Sequence, residues 1–319
     1  MRSRPPLPDR LASSPFTLEN SRSAGVQRSR LRRTDVQHVS RGLYRPAGWD
    51  FCLAEAARAL SEATPGAWIS HVTAARLRGS RLPPWLSDSN ELHISKPTAF
   101  PGARRRGIYG HRVIVKPGEV EFVEGIWIST KARTWLDMAR QLPLNDLVAM
   151  GDELIRIPRP ELEGREGAYS TVEDLRGLVA RHPNLQGVVR ARQALDLMRV
   201  GSDSAPETFL RLAMLDAGLP EPELQVGLRP GDPRAPSADL GFRQRKVAVQ
   251  YDGGHHLLEP QRLSDRRRDK AFEAAGWTVI IVDNSDQEDG FAAAIKKIKR
   301  AFRTSVAAST VASGFAEEH

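Results

Sequence analysis

ADLGFRQRKVAVQYD, residues 238–252, is the stretch that decides the fold of the last third of this chain. ADLGF has the pattern of a short strand, RQR that of a tight turn, and KVAVQYD carries the continuous apolar run of a buried strand. An antiparallel hairpin about the turn would place the start of the first strand opposite the end of the second. We therefore expect Asp239 and Asp252 to lie side by side.

The segments around this hairpin predict an α/β domain over residues 201–305. A helix capped by Ser204 and ended by Gly218 precedes a strand at 223–228. The hairpin is followed by a helix, the buried strand WTVIIVD at 277–283 and a last helix at about 288–303. Residues 306–319 are small and polar, which predicts a flexible tail.

The middle of the chain, residues 51–200, predicts a mixed α+β region that serves as scaffold. It shows no spacing typical of metal ligands, no glycine-rich phosphate loop and no nucleophile elbow. The predicted helices lie at 51–62, 71–79, 130–141, 144–156, 171–181 and 185–199, and the predicted strands at 91–95, 108–115 and 126–129. The fold class predicted for the whole chain is therefore α+β, with an α/β domain at its end.

The front of the chain predicts a small DNA-binding domain behind a disordered start. Residues 1–14 are rich in proline and arginine. Residues 15–50 give the outline of a winged helix-turn-helix: a helix capped by Thr17, a second helix over Arg28–Arg33 and a short hairpin. The arginines expected on the recognition helix and wing are Arg28, Arg30, Arg32, Arg33, Arg41 and Arg45. The alternative is a helical cap with a charged outer face.

The charge distribution favours the same partner. The net charge is +8, and residues 1–50 carry +6 of it, residues 51–200 carry +4 and residues 201–319 carry −2. A basic front half favours a polyanion, double-stranded DNA first, although a solvated arginine-rich surface has the same composition. No apolar stretch is long enough to cross a membrane, no secretory signal is visible, and the single cysteine, Cys52, forms no internal disulfide. These features predict a cytoplasmic protein with no membrane partner.

Acidic side chains converge on the predicted hairpin. Glu207 lies in the first turn of the helix that opens the domain, and His255 and His256 follow Asp252 closely. Two carboxylates held together stay ionised only with a cation between them, and oxygen ligands suit Mg²⁺ or Mn²⁺. A histidine nearby can act as general base or metal ligand. The plainer interpretation is a polar turn after a strand, with solvated histidines.

These residues resemble the PD-(D/E)XK nuclease superfamily, in the branch similar to very-short-patch-repair endonucleases. The resemblance covers about 201–303 and rests on SAPE, AD before the hairpin, QYDGGHH, DRRRDKAFEAAGW and the closing strand. It implies that Asp239 is the central metal ligand, helped by Asp252, the carbonyl of Tyr251 and Glu207. It also implies that His256 moves a proton or orients water. Arg268, beside Asp269, would contact the scissile phosphate or form a structural pair with an acid.

Gln250 departs from that pattern, because the family most often has glutamate there. An amide oxygen carries no charge and binds a hard cation more weakly. Three explanations stay open: the site works with Asp239, Asp252 and Glu207 as its acids, the metal binds weakly, or cleavage has been lost and DNA binding kept.

The front half is similar to the winged-helix domain of type IV abortive-infection antitoxins, through RGLYRP, SHVTAARLRGSRLP and STKARTWLDMA. Both resemblances together imply a metal-dependent DNA endonuclease with an N-terminal DNA-binding module. The alternatives are a non-catalytic, antitoxin-like DNA-binding regulator with a vestigial nuclease fold, and a nuclease that acts on RNA.

Overall fold

The protein has a mixed α+β architecture that divides into two compact units. The computed structural model describes residues 6–158, 163–232, 234–253 and 259–314, with side chains omitted at 259–264 and 305–314. The first unit comprises residues 1–150 and 169–195, and the second comprises residues 151–168 and 196–319.

The first unit begins with a small three-stranded sheet in the order β1-β3-β2. Its elements are α1 (Asp9–Ala12), β1 (Phe16–Thr17), α2 (Leu18–Ser23), β2 (Val36–Ser40) and β3 (Leu43–Pro46). The predicted cap of α2 is confirmed: the Thr17 hydroxyl accepts the N–H of Asn20, and the Asn20 side chain accepts the N–H of Thr17. The predicted hairpin is also present, as the antiparallel pair β2–β3.

Two expectations for this region are wrong. The sequence predicts disorder over residues 1–14, but within this range Leu7 and Leu11 are buried in one apolar cluster with Phe16 and Leu31. The burial of these two leucines holds α1 in its packed position beside Phe16. The expected helix over Arg28–Arg33 is instead a three-residue 3₁₀ turn, Arg30–Arg32.

The rest of the first unit contains a five-stranded mixed sheet in the order β6-β5-β4-β8-β7. Its elements are α3 (Leu53–Glu62), β4 (Trp68–Ile69), α4 (His71–Leu77), α5 (Pro84–Ser87), β5 (Leu92–Pro97), β6 (Ile108–Val113), β7 (Val120–Val123) and β8 (Ile126–Ser129). Alanines of α3 and α4 pack with Ile69, Ile94 and Ile128 to form the core beneath this sheet.

Helices complete the middle of the chain close to their predicted positions. They are α6 (Lys131–Met138), α7 (Leu144–Ile155), α8 (Val172–Arg181) and α9 (Val188–Leu197). Thr130 and Thr171 cap α6 and α8 through their hydroxyl oxygens. These caps satisfy backbone N–H groups that the first helical turn leaves without partners.

The second unit contains a four-stranded sheet in the order β12-β11-β10-β9. Its elements are α10 (Ala205–Asp216), β9 (Glu223–Gly227), β10 (Ser237–Phe242), β11 (Val247–Asp252), α11 (Glu259–Ala274), β12 (Thr278–Asp283), α12 (Asn284–Glu288) and α13 (Ala292–Gly314). The tail expected from 306 is helical as far as Gly314, as the end of α13.

The decisive hairpin is confirmed. β10 and β11 are antiparallel about a 3₁₀ turn at Arg243–Arg245, and β11 pairs with β12 in parallel. Apolar residues cover both faces of this sheet. One cluster joins it to α10 and α13 through Leu210 and Ile298, and the other joins it to α11 through Phe272. Burial on both faces explains the continuous apolar run of β11.

Within the described part of the chain, no helix is both long enough and apolar enough to cross a membrane.

Candidate functional site

Glu207 is held rigidly at the start of α10. The Ser204 hydroxyl accepts the Glu207 N–H at 3.3 Å and donates to Glu207 Oε1 at 2.6 Å. The N–H of Asp203 donates to Glu207 Oε2 at 2.9 Å. The residue is only 7% exposed. The helix cap therefore fixes a carboxylate in a buried position.

Asp239 lies where the backbone pairing of β10 and β11 stops. The register of the two strands runs from Phe242↔Val247 to Leu240↔Val249. Beyond that pair, Asp239 Oδ2 accepts the N–H of Tyr251 at 2.8 Å, in place of a backbone carbonyl. A side-chain carboxylate thus joins the two strands at this end of the hairpin.

The two acids affect each other electrostatically. The pKa of Glu207 is raised to about 7, first by its burial and then by the negative charge of Asp239. Two carboxylates held near each other share a proton or attract a cation. A carboxyl group whose pKa is perturbed in this way is typical of functional sites, although structural networks also produce such shifts.

Asp252 and Tyr251 extend the site along the end of β11. Asp252 is exposed, and its Cα is paired with that of Asp283 on β12. Asp239 is hydrogen-bonded to Gln250 and Tyr251, the two residues before Asp252. The Tyr251 hydroxyl has two acceptors within reach on α12, Asn284 Oδ1 at 2.7 Å and Gln287 Oε1 at 2.8 Å.

Gln250 is a buried structural amide. It is 2% exposed; its Oε1 accepts the N–H of Asp239 at 3.4 Å, and its Nε2 donates to the carbonyl of Ser237 at 3.5 Å. A glutamate could not make the second bond, because an ionised carboxylate only accepts. Gln250, which the sequence predicted to be catalytic, therefore holds the backbone of β10 in place around Asp239.

The other two predicted site residues are His256 and Arg268. His256, with His255, lies outside the described residues. Arg268 on α11 pairs with Asp265 at 3.0 Å and with Asp269 at 3.5 Å. Of the two roles considered for Arg268, the structure shows the pair with an acid.

The oxygen atoms at this site are of the chemical type that a hard divalent cation prefers, but within the described ranges too few of them come together to form a complete set of ligands. Glu207 and Asp239 supply carboxylate oxygens, and Gln250 supplies an amide oxygen, all of which suit Mg²⁺ or Mn²⁺. Among the residues that the structure describes, however, no group of three or more His, Cys, Asp and Glu side chains is arranged to hold a metal ion.

The basic N-terminal segment presents fewer free arginines than expected. Arg30 is 9% exposed, and its Nη1 and Nη2 bind the two carboxylate oxygens of Asp35 at 2.8 and 2.6 Å. This guanidinium lowers the pKa of Asp35. Arg30 is therefore a structural residue of the 3₁₀ turn, not an exposed contact for DNA.

The other arginines of this segment differ in exposure and contacts. Arg28 and Arg32 are exposed and line a hollow of about 330 Å³ with His38 and Tyr44. Arg33 is half-buried, and Arg41 is exposed. Arg45 donates to Gln37 at 2.9 Å and lies over the ring of Trp49.

A cluster that the sequence analysis missed lies in the middle region. His71, His93 and His111 are stacked together, with 3.6 Å between the ring centroids of His71 and His111. Only the parallel pairing of β5 with β6 brings His93 and His111 together, and no local pattern in the sequence signals that pairing.

Comparison with known proteins gives relatives but no described activity. No family model matches the chain. The chain is 30% identical over 198 residues to two Mycobacterium tuberculosis proteins, uncharacterized protein MT2308 of strain CDC 1551 / Oshkosh and uncharacterized protein Rv2248 of strain ATCC 25618 / H37Rv. The aligned region covers 61% of this chain and 69% of each relative. The chain therefore belongs to the same protein family as these two uncharacterized mycobacterial proteins.

Proposed function

We propose that this protein is a metal-dependent DNA endonuclease with a separate DNA-binding segment at its N-terminus, acting in the cytoplasm. The observation that carries the proposal is the buried Glu207 together with the half-buried Asp239 at the open end of the β10–β11 hairpin. Burial, and then the charge of Asp239, raise the pKa of Glu207, so that a cation bound between the two carboxylates would stabilise their ionised forms. The resemblance to very-short-patch-repair endonucleases places its acids on the same residues.

Glu207 and Asp239 would hold Mg²⁺ or Mn²⁺, with Asp252 and the carbonyl of Tyr251 as further candidates. When bound, the ion would polarise the phosphodiester and lower the pKa of a water molecule. The helix cap at Ser204 keeps Glu207 in position, and the N–H of Tyr251 orients the carboxylate of Asp239. His256 is the proposed proton-transfer residue.

One observation favours a second candidate function, a non-catalytic DNA-binding regulator with a vestigial nuclease fold. Both polar atoms of the Gln250 amide form hydrogen bonds with the backbone of β10. A site specialised for cation binding would gain more from a carboxylate at this position.

The experiment that separates the two functions is incubation of the purified protein with supercoiled plasmid and Mn²⁺. We expect nicked and linear products that EDTA suppresses. A parallel incubation with single-stranded RNA tests the RNA-acting alternative. Binding of the plasmid without any cleavage, at all Mn²⁺ concentrations, would support the regulator instead.

Replacing Gln250 with glutamate is expected to make stability depend on metal. The substitution removes the bond to the Ser237 carbonyl and adds a third acid beside Glu207 and Asp239. Without metal, we expect a loss of about 1–3 kcal/mol in the free energy of unfolding. In urea denaturation with and without EDTA, Mn²⁺ should raise the free energy of unfolding of Gln250→Glu by more than it raises that of the wild type. An equal response of both proteins to Mn²⁺ would place Gln250 away from the ion.

Replacing both Arg28 and Arg32 with alanine is expected to weaken binding to duplex DNA. Each phosphate contact that is lost should lower the slope of log K against log salt by about 0.9. Fluorescence anisotropy over a salt series measures that slope. Arg30→Ala is the matched control, because Arg30 is paired with Asp35. It should reduce stability by roughly 1 kcal/mol and leave the slope unchanged. An unaltered slope in the double variant would remove this surface from the proposal.

A further inference from the structure

A cleft in the first unit has features that nuclease activity does not use. Its volume is about 570 Å³, within the range of about 300–1,000 Å³ typical of small-molecule sites. The side chains with polar or charged groups that line it include His71, His111, Arg112, Asp137, Arg140, Arg181, His182 and Asn184. Three arginines against one aspartate give the lining a net positive charge.

One of the lining histidines, His111, belongs to a hydrogen-bonded chain. His93 Nε2 lies 3.3 Å from Glu91 Oε2, and His93 Nδ1 lies 3.0 Å from His111 Nε2. The ring of His71 is stacked on that of His111. If His93 donates to Glu91, its other nitrogen must accept from His111. The chain thus fixes the ring of His111 at the cleft.

These histidines are neutral at physiological pH. Burial, and then the neighbouring His111 and His93, hold the pKa of His71 well below its usual range. Burial, with His93 and Arg140, lowers the pKa of His111 to about 4. Neutral imidazoles can donate and accept hydrogen bonds. The charge of the cleft therefore comes from its arginines.

A second charged layer lies directly behind the lining. Arg133 is fully buried and donates to Asp137 Oδ1 at 2.8 Å, to the Ile114 carbonyl at 2.9 Å and to Glu119 Oε2 at 2.5 Å. Glu119 Oε1 in turn lies 2.7 Å from His182 Nε2. The Nη2 of Arg133 is buried without a hydrogen-bond partner among the described residues. This network holds Asp137 and His182 in place, and the charge of Arg133 is matched by the carboxylates of Glu119 and Asp137.

Arg140 is the lining residue best placed to bind an anion. Its side chain is exposed and makes no hydrogen bond or ion pair within the described part of the chain. Arg181, by contrast, lies 3.8 Å from Glu119, and Arg112 donates to the carbonyl of Thr98. A guanidinium without a protein partner can bind a phosphate through two parallel hydrogen bonds.

We propose that this cleft binds a phosphorylated small molecule of about mononucleotide size, with the phosphate on Arg140 and Arg181 and the rest of the molecule beside His71 and His111. The site is separate from the Glu207–Asp239 pair and independent of the nuclease proposal. Its charge, its volume and its neutral imidazole groups match a ligand that joins a phosphate to a polar, ring-containing body.

Isothermal titration of the whole chain tests this proposal. The probes are the four 5′-ribonucleoside monophosphates, inorganic phosphate and adenosine, the last as a body without a phosphate. We expect saturable binding of at least one monophosphate. Arg140→Ala should weaken that binding at least about tenfold, the equivalent of one lost charge-assisted bond. Inorganic phosphate should bind more weakly, and adenosine should show no effect of the substitution.

Arg192→Ala is the matched control, since Arg192 is an exposed arginine of α9 that does not line the cleft. Both variants should melt at the wild-type temperature, because both side chains are exposed. Absence of saturable binding by every monophosphate up to about 1 mM would overturn the proposal. Equal weakening by Arg140→Ala and Arg192→Ala would also overturn it. So would binding of duplex DNA that depends on Arg140 while no monophosphate binds.

Discussion

Asp239→Asn is expected to lower Mn²⁺-dependent plasmid cleavage by at least about 100-fold. The amide keeps an oxygen that can accept the N–H of Tyr251, so the hairpin keeps its geometry. It removes one of the two charges that would hold the ion, and a loss of about 3 kcal/mol in the transition state already gives a factor of 100. Initial rates of nicking at saturating Mn²⁺ measure the effect.

The same substitution should change how stability depends on pH. The pKa of Glu207 is raised from 4.5 to about 7, so the folded protein binds more protons than the unfolded chain between those values. Without metal, stability therefore falls as pH rises through this window, by roughly 3 kcal/mol in all. Asp239→Asn removes part of the cause, so this fall should be smaller. Urea denaturation in EDTA at pH 5 and pH 8 measures it.

Asp216→Asn serves as the matched control for both effects. Asp216 is an exposed aspartate at the end of α10, and its side chain has no hydrogen-bond or ion-pair partner among the described residues. It should cleave at the wild-type rate. Cleavage that persists in Asp239→Asn at the wild-type rate would show that a contaminant or another site cuts the plasmid.

Arg133→Met is expected to destabilise the first unit by about 3–5 kcal/mol. Arg133 pairs with Glu119 and Asp137, and all three side chains are at most 2% exposed. Methionine fills a similar volume but leaves Asp137 without its cation and removes the nearer of the two guanidinium groups beside Glu119. Burial already raises the pKa of Asp137 against the attraction of Arg133. That pKa should rise further in the variant.

Tryptophan fluorescence in urea is the suitable probe, because five of the six tryptophans lie within residues 1–150. Arg176→Met is the control: Arg176 is an exposed arginine paired with Glu173 three residues earlier on α8. Its loss should change stability by less than about 0.5 kcal/mol. Equal midpoints for the two variants would mean that the buried cluster contributes little to the fold.

Features set by neighbouring residues could be predicted from the sequence. Thr17 and Ser204 cap their helices through residues three positions away, and the RQR turn joins two strands that follow each other directly. The apolar run of β11 reflects burial on both faces of the sheet. Each of these features depends on a few adjacent positions, which a pattern can report.

Features set by distant contacts could not be predicted. The helix expected over Arg28–Arg33 is shortened to a 3₁₀ turn, in which Arg30 pairs with Asp35. His71, His93 and His111 come from separate elements. The sequence also identified Gln250 as unusual without showing that its amide bonds to the backbone of β10. In each case the decisive partner is set by tertiary packing.

Direct measurement of Mn²⁺ binding to the wild type and to Glu207→Gln tests the central claim, that the acid pair is a metal site. Electron paramagnetic resonance of free Mn²⁺ at pH 8 gives the affinity without DNA or catalysis. We expect the wild type to bind Mn²⁺ at this site, with affinity rising as pH passes about 7 and Glu207 ionises. Glu207→Gln should bind at least about tenfold more weakly. Equal affinity of the two proteins for Mn²⁺ would contradict the account.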